Sequence, residues 1–470
     1  EIYWPAVDQP QVKDLGFLVG GTGWWQEVKR AGHYTLSTPE PGLMLPTIVH
    51  TGRDQAYQLT LRPVVDPDHD ALLIEYELAG EGVRLYPLLA PHLGIGQITP
   101  EPQWAALGAD NLGWTDPADL AMFASGSSGF LCLLARPGFT RAGAGYAGDT
   151  DGWTDFSRHQ SMTLTYGQAG PGVVALTGEL AAGSGLLALG FGDRQDTARA
   201  AAQASLDAGY DATAAAFARG WRAWMAGLTL PGPDQLAAAG SAGPPGLADA
   251  LRESAVVLRT HADHTVSGAY VAGLAIPWGN YANDPGGYHL VWCRDGGETA
   301  LALAAAGHTD DAATALGYLA GRQNRDGSWP RCFFVSRVPA AFDPQAAVQL
   351  DEVAFPLLLA GKLDELGVPL PEGADNAITS AAGYLARNGP VSSRDVDRWE
   401  ENAGASPFTI GLQIVAMLVA ATRLTGPDRT LARALADNWN ERLEEFTFVS
   451  GDEIDQAFGT DGHYIRIGRP

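Results

Sequence analysis

Near residue 195 the spacing of apolar residues changes from every second position to every third or fourth. Those two periods belong to strands and helices respectively, so the chain must contain a β region followed by a helical one. Ahead of the change, short alternating runs such as Ala56–Arg62 (AYQLTLR) and Ala71–Glu77 (ALLIEYE) are separated by Gly, Pro and Asp clusters. Many short strands with turn chemistry between them predict a sandwich over 1–194. From Asp196 to Ala226 alanine dominates, with apolar residues at helical spacing ending in Phe217, Trp221 and Trp224. The Pro231–Pro245 stretch (PGPDQLAAAGSAGPP) has little to bury and several helix breakers, so 195–246 reads as a helical segment and linker.

The third region, 247–470, is helical. Helices are expected near 247–265, 295–307, 310–323, 350–366, 375–388, 405–424 and 427–445. Phe408–Leu424 (FTIGLQIVAMLVAATRL) is apolar almost all round, which predicts burial on more than one side. Short helices joined by long loops rich in Trp, Gly and charge suggest an α/α toroid whose loops gather into a pocket.

Composition narrows the function classes. A net charge of −24, from 54 acidic against 30 basic side chains, repels phosphate backbones and makes nucleic acid an unsuitable partner. No apolar run reaches the 18 residues of a membrane span. A neutral, polyhydroxylated substrate fits this balance, and 13 Trp, 14 Tyr and 15 Phe offer faces on which pyranose rings can stack. Cys132, Cys293 and Cys332 are far apart and show no CxxC spacing, so neither a disulfide framework nor a zinc site is indicated. The Asp66–Asp70 segment (DPDHD) reads as a solvated turn, with a structural calcium as the alternative; no other metal and no cofactor is expected. The chain opens at Glu1 with no basic and apolar leader. A removed signal peptide would explain that, as would a trimmed chain, and secretion or a periplasmic location is the expectation.

Four loop clusters carry chemistry. Gly287–Asp295 (GYHLVWCRD) leads into a helix. Asp295 can be its cap, with Arg294 as an ion-pair partner, or the pair can hold sugar hydroxyls beside Trp292. Asp326–Pro330 (DGSWP) reads as a loop with Trp329 as an aromatic plug. Gln349–Glu352 (QLDE) begins a helix, where Asp351 and Glu352 favour the helix dipole. In Asp397–Asn402 (DRWEEN) three carboxylates lie within five residues around Trp399. A solvated acidic loop leaves that Trp unexplained. A carboxyl held against an aromatic face beside other carboxylates has its pKa raised and can protonate a glycosidic oxygen.

Together these segments resemble glycoside hydrolase family 15, the glucoamylases and glucodextranases. Tyr288–Asp295 is similar to the family's YHLVWPRD, Trp329-Pro330 to its GxWPQN, Gln349–Phe355 to its QLDETAF, and Trp399–Pro407 to its WEENxGxSP. Ile2–Phe17 and Gly145–Trp153 resemble parts of the bacterial members' β domain. The resemblance implies a β-supersandwich, a helical linker and an (α/α)6 barrel. It also implies exo-attack on the non-reducing ends of α-glucans, with glucose released by inversion. By the same matching, Glu400 is the general acid, Glu401 a sugar-binding carboxylate, and Asp397 a support for the acid. Arg294 and Asp295 grip the deepest glucose, Trp292 and Trp399 wall the pocket, Trp329 lies among the substrate-binding residues, and Asp351 and Glu352 lie at the pocket rim.

Cys293, Arg331-Cys332 and Phe334 depart from the family pattern, which leaves the aglycone subsites and linkage preference open. The β domain favours α-1,6 over α-1,4 links slightly. A transglucosylase and a non-catalytic carbohydrate-binding paralogue are the alternatives. Nothing matches the family's late WSHAEY segment, and His463–Ile467 resembles a mid-barrel strand. The chain is therefore expected to hold about the first half of the barrel. The general base is not expected in this chain, and a second polypeptide is expected to complete the barrel.

Overall fold

A computed structural model describes residues 2–54, 57–94, 111–232, 235, 246–274, 288–335, 348–391, 397–399 and 401–468. Two compact units are present. One comprises Glu1–Gly227, Gly243–Val256 and Ala275–Gly287; the other comprises Leu228–Ala242, Val257–Leu274 and Tyr288–Pro470. Among the described residues no helix is long and apolar enough to cross a membrane.

The first unit is an antiparallel β-sandwich. One sheet runs β1 (Ile2–Tyr3), β2 (Pro10–Gly21), β8 (Arg84–Pro91), β14 (Val174–Leu180), β12 (Phe139–Tyr146), with β3 (Trp24–Glu27) also on β2. The other has nine strands: β13 (Gln168–Gly172), β9 (Asn111–Thr115), β10 (Met122–Gly126), β11 (Gly129–Arg136), β15 (Ser184–Gly192), β7 (Ala71–Ala79), β6 (Gln58–Val65), β5 (Thr47–Gly52) and β4 (Gly32–Ser37). Strand alternation sorts the side chains. Along β7, Ile74 and Tyr76 enter the core between the sheets, while Leu73 joins a second core on the outer face of the nine-stranded sheet. That outer core is covered by α3 (Gln195–Ala208) and α4 (Tyr210–Met225). The helix approaches closely because β15 carries glycine where it lands. A Cβ at Gly190 would lie 2.4 Å from the Ala198 carbonyl oxygen. Two short helices, α1 (Val28–Ala31) and α2 (Gly152–His159), also belong to this unit. In the Asp66–Asp70 turn the Asp66 carboxylate accepts the backbone N–H of Asp68 (2.9 Å) and of His69 (3.2 Å), which is how an Asp initiates a turn.

α5 (Leu247–Thr260) precedes the helices that build the second unit. These are α6 (Cys293–Ala305), α7 (Thr309–Ala320), α8 (Leu350–Glu365), α9 (Ala374–Asn388), α10 (Pro407–Arg423) and α11 (Gly426–Thr447), followed by the short α12 (Glu453–Phe458). α6, α8 and α10 pack on one another in turn, and each also packs on the helix that follows it. This is the alternation of inner and outer helices in an α/α barrel, with three such pairs among the described residues. α8 has the most buried positions of the six, in keeping with a place at the centre of its unit. α10 departs from the sequence expectation. It is buried along one stripe, Ile410, Gln413, Ala416, Met417, Ala420 and Ala421, while Val415 and Leu418 are exposed. Its neighbours α8, α9 and α11 cover one side of an all-apolar helix and leave the other open.

Candidate active site

The N-terminal ends of α6 and α8 meet at Arg294, whose partners include Asp351 and Glu352, and the charge of Arg398, ahead of α10, acts on Asp295. α6 begins at Cys293, two residues earlier than the sequence suggests, so Asp295 lies within the first turn rather than at the cap. The reason is a cap supplied from another helix. Trp292, at the N-cap position, has no side-chain oxygen, and the Glu352 carboxylate of α8 accepts the Arg294 backbone N–H at 2.6 Å. One of the helix's orphan donors is thereby satisfied without a local Ser, Thr or Asp.

Arg294 is then caged. Its guanidinium donates to Gln349 (2.9 Å) and Asp351 (2.8 Å), and lies 3.0 Å from Glu352 and 3.6 Å from Asp295. Burial works against the cation, but Glu352 and Asp351 outweigh it and hold Arg294 above its ordinary pKa. One guanidinium cannot neutralise three carboxylates. Glu352, completely buried, is pushed well above the usual carboxylate range, because burial exceeds what Arg294 returns to it. Asp295 is raised by burial as well, with the charges of Arg294 and Arg398 opposing the shift. Unlike Asp351 and Glu352, its side chain is 37% exposed, so it is the member of the group that can meet a ligand.

The loop before α10 is shaped by Asp397. Its carboxylate accepts the backbone N–H of Glu401 (3.0 Å) and Asn402 (3.2 Å), and its own N–H donates to the Asn402 carbonyl (2.8 Å). Arg398 lies over the Trp399 ring at 5.0 Å and the Phe408 ring at 4.3 Å, within cation–π range. The downstream motif residues have separable tasks. Ser406 caps α10 by accepting the Thr409 N–H, with Pro407 in the first turn. Gly404 has φ +147°, and a Cβ there would lie 2.5 Å from Ile467 Cγ2. It admits the segment near Gly468, which exchanges two backbone hydrogen bonds with Ala405 (2.9 and 2.7 Å). From the same segment Arg466 reaches Glu401 (2.7 Å) and Asp397 (3.4 Å). Arg466 follows β17 (His463–Tyr464), which pairs with β16 (Phe448–Val449). Sequence reading placed Gln349 and Arg466 inside motifs but gave neither a role, since neither has a spacing signal of its own.

Glu400 lies outside the described residues. Trp399 and Tyr288 are well exposed, and Glu401 is exposed beside Arg466. Trp292 is buried against Leu290, Cys332 and Phe334, with Tyr288 at 6.1 Å. Two expectations drawn from the resemblance change. Trp329 is fully buried and its indole N–H donates to the Leu319 carbonyl at 2.8 Å, so it plugs the core and presents no face to a sugar. Asp351 and Glu352 lie beneath Arg294, as a floor rather than a rim. Cys293, Cys332 and Phe334, where the sequence departs from the family pattern, are buried packing residues. A further group, Asp452, Asp455 and His463, could hold a cation, but Asp455 is already engaged by Gly451 N–H, Thr460 and His463.

A β-sandwich unit and a unit of alternating inner and outer helices, with charge gathered at the inner helices' N-termini, define the class of two-domain α/α-barrel proteins. Comparison with known proteins narrows this. Residues 1–226 match the glucodextranase domain N model and residues 338–468 the glycosyl hydrolases family 15 model. The two matched segments are those of glycoside hydrolase family 15, in its bacterial glucoamylase and glucodextranase type. A glucoamylase of Clostridium sp. (strain G0005) is 27% identical over 486 residues, a match covering 99% of this chain and 63% of that protein. A bacterial glucoamylase solved in complex with acarbose has the same fold, with a TM-score of 0.84 at 24% identity, covering 99% of this chain and 66% of that one. The chain thus spans just under two-thirds of the length of these relatives.

Proposed function

We propose that this chain carries the acid side of an inverting, exo-acting α-glucoside hydrolase that releases glucose from the non-reducing ends of α-glucans. The observation that carries the reading is the Arg294 cage. It holds Asp295, raised in pKa and partly exposed, in the first turn of α6, where its carboxylate can accept hydrogen bonds from vicinal sugar hydroxyls. The exposed rings of Trp399 and Tyr288 supply stacking faces. The glucoamylase relatives support an α-glucan as substrate.

Glu400 is the proposed general acid, on the family resemblance, with Asp397 shaping its loop and Glu401 binding sugar. The α-1,6 linkage is slightly favoured. No cofactor is needed, and the protein acts outside the cytoplasm, secreted or periplasmic. The general base is assigned to no residue of 1–470. The comparisons lend no support to a separate second polypeptide, since nearly all of this chain aligns along longer single chains.

Glu400→Gln keeps the shape of the acid and removes its proton. The expected loss of turnover is about 10²–10⁴-fold, with sugar binding largely spared. Products from maltotriose and isomaltotriose, followed by NMR, check the rest: β-glucose appearing first supports inversion, and products longer than the substrate mark a transglucosylase. Retention of more than about a tenth of turnover removes Glu400 from the acid role.

A further inference from the structure

The sandwich unit has a concavity of its own on the outer face of the nine-stranded sheet. Strand register explains it. Val64, Leu73 and Ala188 form a cross-strand row within the core under α3 and α4. Two residues along each strand, on the same face, the next row is Arg62, Glu75 and Leu186, and the row after it is Thr60, Glu77 and Ser184. An apolar face thus becomes polar where α4 begins. Tyr210 and Asp211 of α4 and Thr47 of β5 wall a cleft of about 500 Å³ over these rows, within the range of about 300–1,000 Å³ usual for small-molecule sites.

The cleft is organised in advance. Arg62 is ion-paired with Glu75 and lies 5.3 Å from the centre of the Tyr210 ring, so its guanidinium is held from two sides. Fixing such side chains before binding lowers the entropy cost of recognition. The charged lining consists of Arg62 against Glu75, Glu77 and Asp211, a balance that repels phosphates and carboxylates. Hydroxyls of Thr47, Thr60 and Ser184 both donate and accept, the three carboxylates accept, and Arg62 donates. Interleaved donors and acceptors around an amphipathic ring match vicinal hydroxyls better than they match a point charge. We infer that this face is a second sugar-binding site that takes a neutral oligosaccharide. Its identity as an α-glucan rests on the function proposed above. Such a site would retain polymer while the helical unit works at a chain end.

Hydrogen exchange of the whole 470-residue chain, with and without maltoheptaose, tests this. Protection is expected in 58–65, 71–79 and 184–192 as well as around 288–295. In Glu77→Gln with Tyr210→Ala, both at partly open positions, the sandwich protection should be lost, with binding there weakened at least about tenfold, while protection around 288–295 stays unchanged. Protection confined to 288–295 overturns the second site and leaves the proposed function standing. Protection in neither place fails that function itself. Protection of the sandwich strands by spermine or Ca²⁺ but not by maltoheptaose makes the cleft a cation site and overturns the inference.

Discussion

The two units treat buried carboxylates in opposite ways. In the sandwich, Glu179 is 1% exposed and is held by both Arg84 and Arg141, the latter through Nε at 2.9 Å. Asp155, fully buried, accepts the Leu164 N–H at 2.7 Å and bonds with Thr163 and His159. Burial alone would raise both, yet these partners outweigh it and hold each below the ordinary carboxylate range. In the helical unit Asp295, Asp351 and Glu352 share Arg294, and Asp295 and Glu352 are raised. Both settings are buried, so the supply of donors sets the direction. An excess of acid over base in a buried place is a poor device for stability, and such perturbed groups concentrate where chemistry is done.

The largest effect comes from breaking the crowded group. Arg294→Met leaves Asp351 and Glu352 buried without their cation, at a cost of about 3–5 kcal/mol. In urea unfolding the helical unit's transition should move to much lower denaturant while the sandwich transition stays in place. A single unchanged transition would remove Arg294 from the centre of that network.

This contrast was only partly legible in the sequence. The change of period near residue 195 marked the two structural classes, because side-chain alternation is a local property. Helices such as α9 and α11 followed from their apolar spacing within a residue or two. The start of α6 did not, because its cap comes from Glu352, 58 residues away. For Trp329 the residues alone read as an aromatic plug and the family resemblance as a sugar contact, and the indole donating into the core keeps the plug. Arg466 was hidden for the same reason as Glu352: its partners are 65 and more residues distant, and no spacing rule reaches that far.

Next in size is the well-matched carboxylate. Glu179→Gln loses charge-assisted bonds to two arginines, worth about 1.5–3 kcal/mol. Its lowered pKa also fixes the acid response. The stability it contributes is full above its unfolded pKa of about 4.3 and is lost as pH falls through the native value. Thermal melts from pH 7 to pH 3 should show a sandwich transition that drops on acidification in the native protein and drops less in the variant.

Glu352 should give the opposite slope, which makes it the sharper test. The native state holds its proton above about pH 4.3, where the unfolded chain has released it. Stability of the helical unit therefore declines with rising pH, by up to about 1.4 kcal/mol per pH unit. In Glu352→Gln no proton is at stake, and the slope above pH 5 should flatten. A helical unit whose stability rises over that interval would mean that Glu352 is ionised and paired like Glu179.

The smallest change in stability, and the most informative for function, is expected at Arg466. Its side chain is 45% exposed, and an ion pair in that setting contributes about 0–1 kcal/mol. By the standard of the sandwich arginines it matters little to folding. Its position gives it a different weight, because it joins Asp397 and Glu401, which flank the proposed acid on either side. Arg466→Gln should leave the melting temperature nearly unchanged and lower kcat more than it raises KM, since the loop is still formed by Asp397 but no longer pinned from outside. Arg466→Lys should recover part of kcat by restoring charge without the planar fork. The basic limb of the kcat profile should shift upward in Arg466→Gln, because removing a nearby cation keeps the proposed acid Glu400 protonated to higher pH. A variant with wild-type kcat and an unmoved profile would reduce Arg466 to an ordinary surface ion pair.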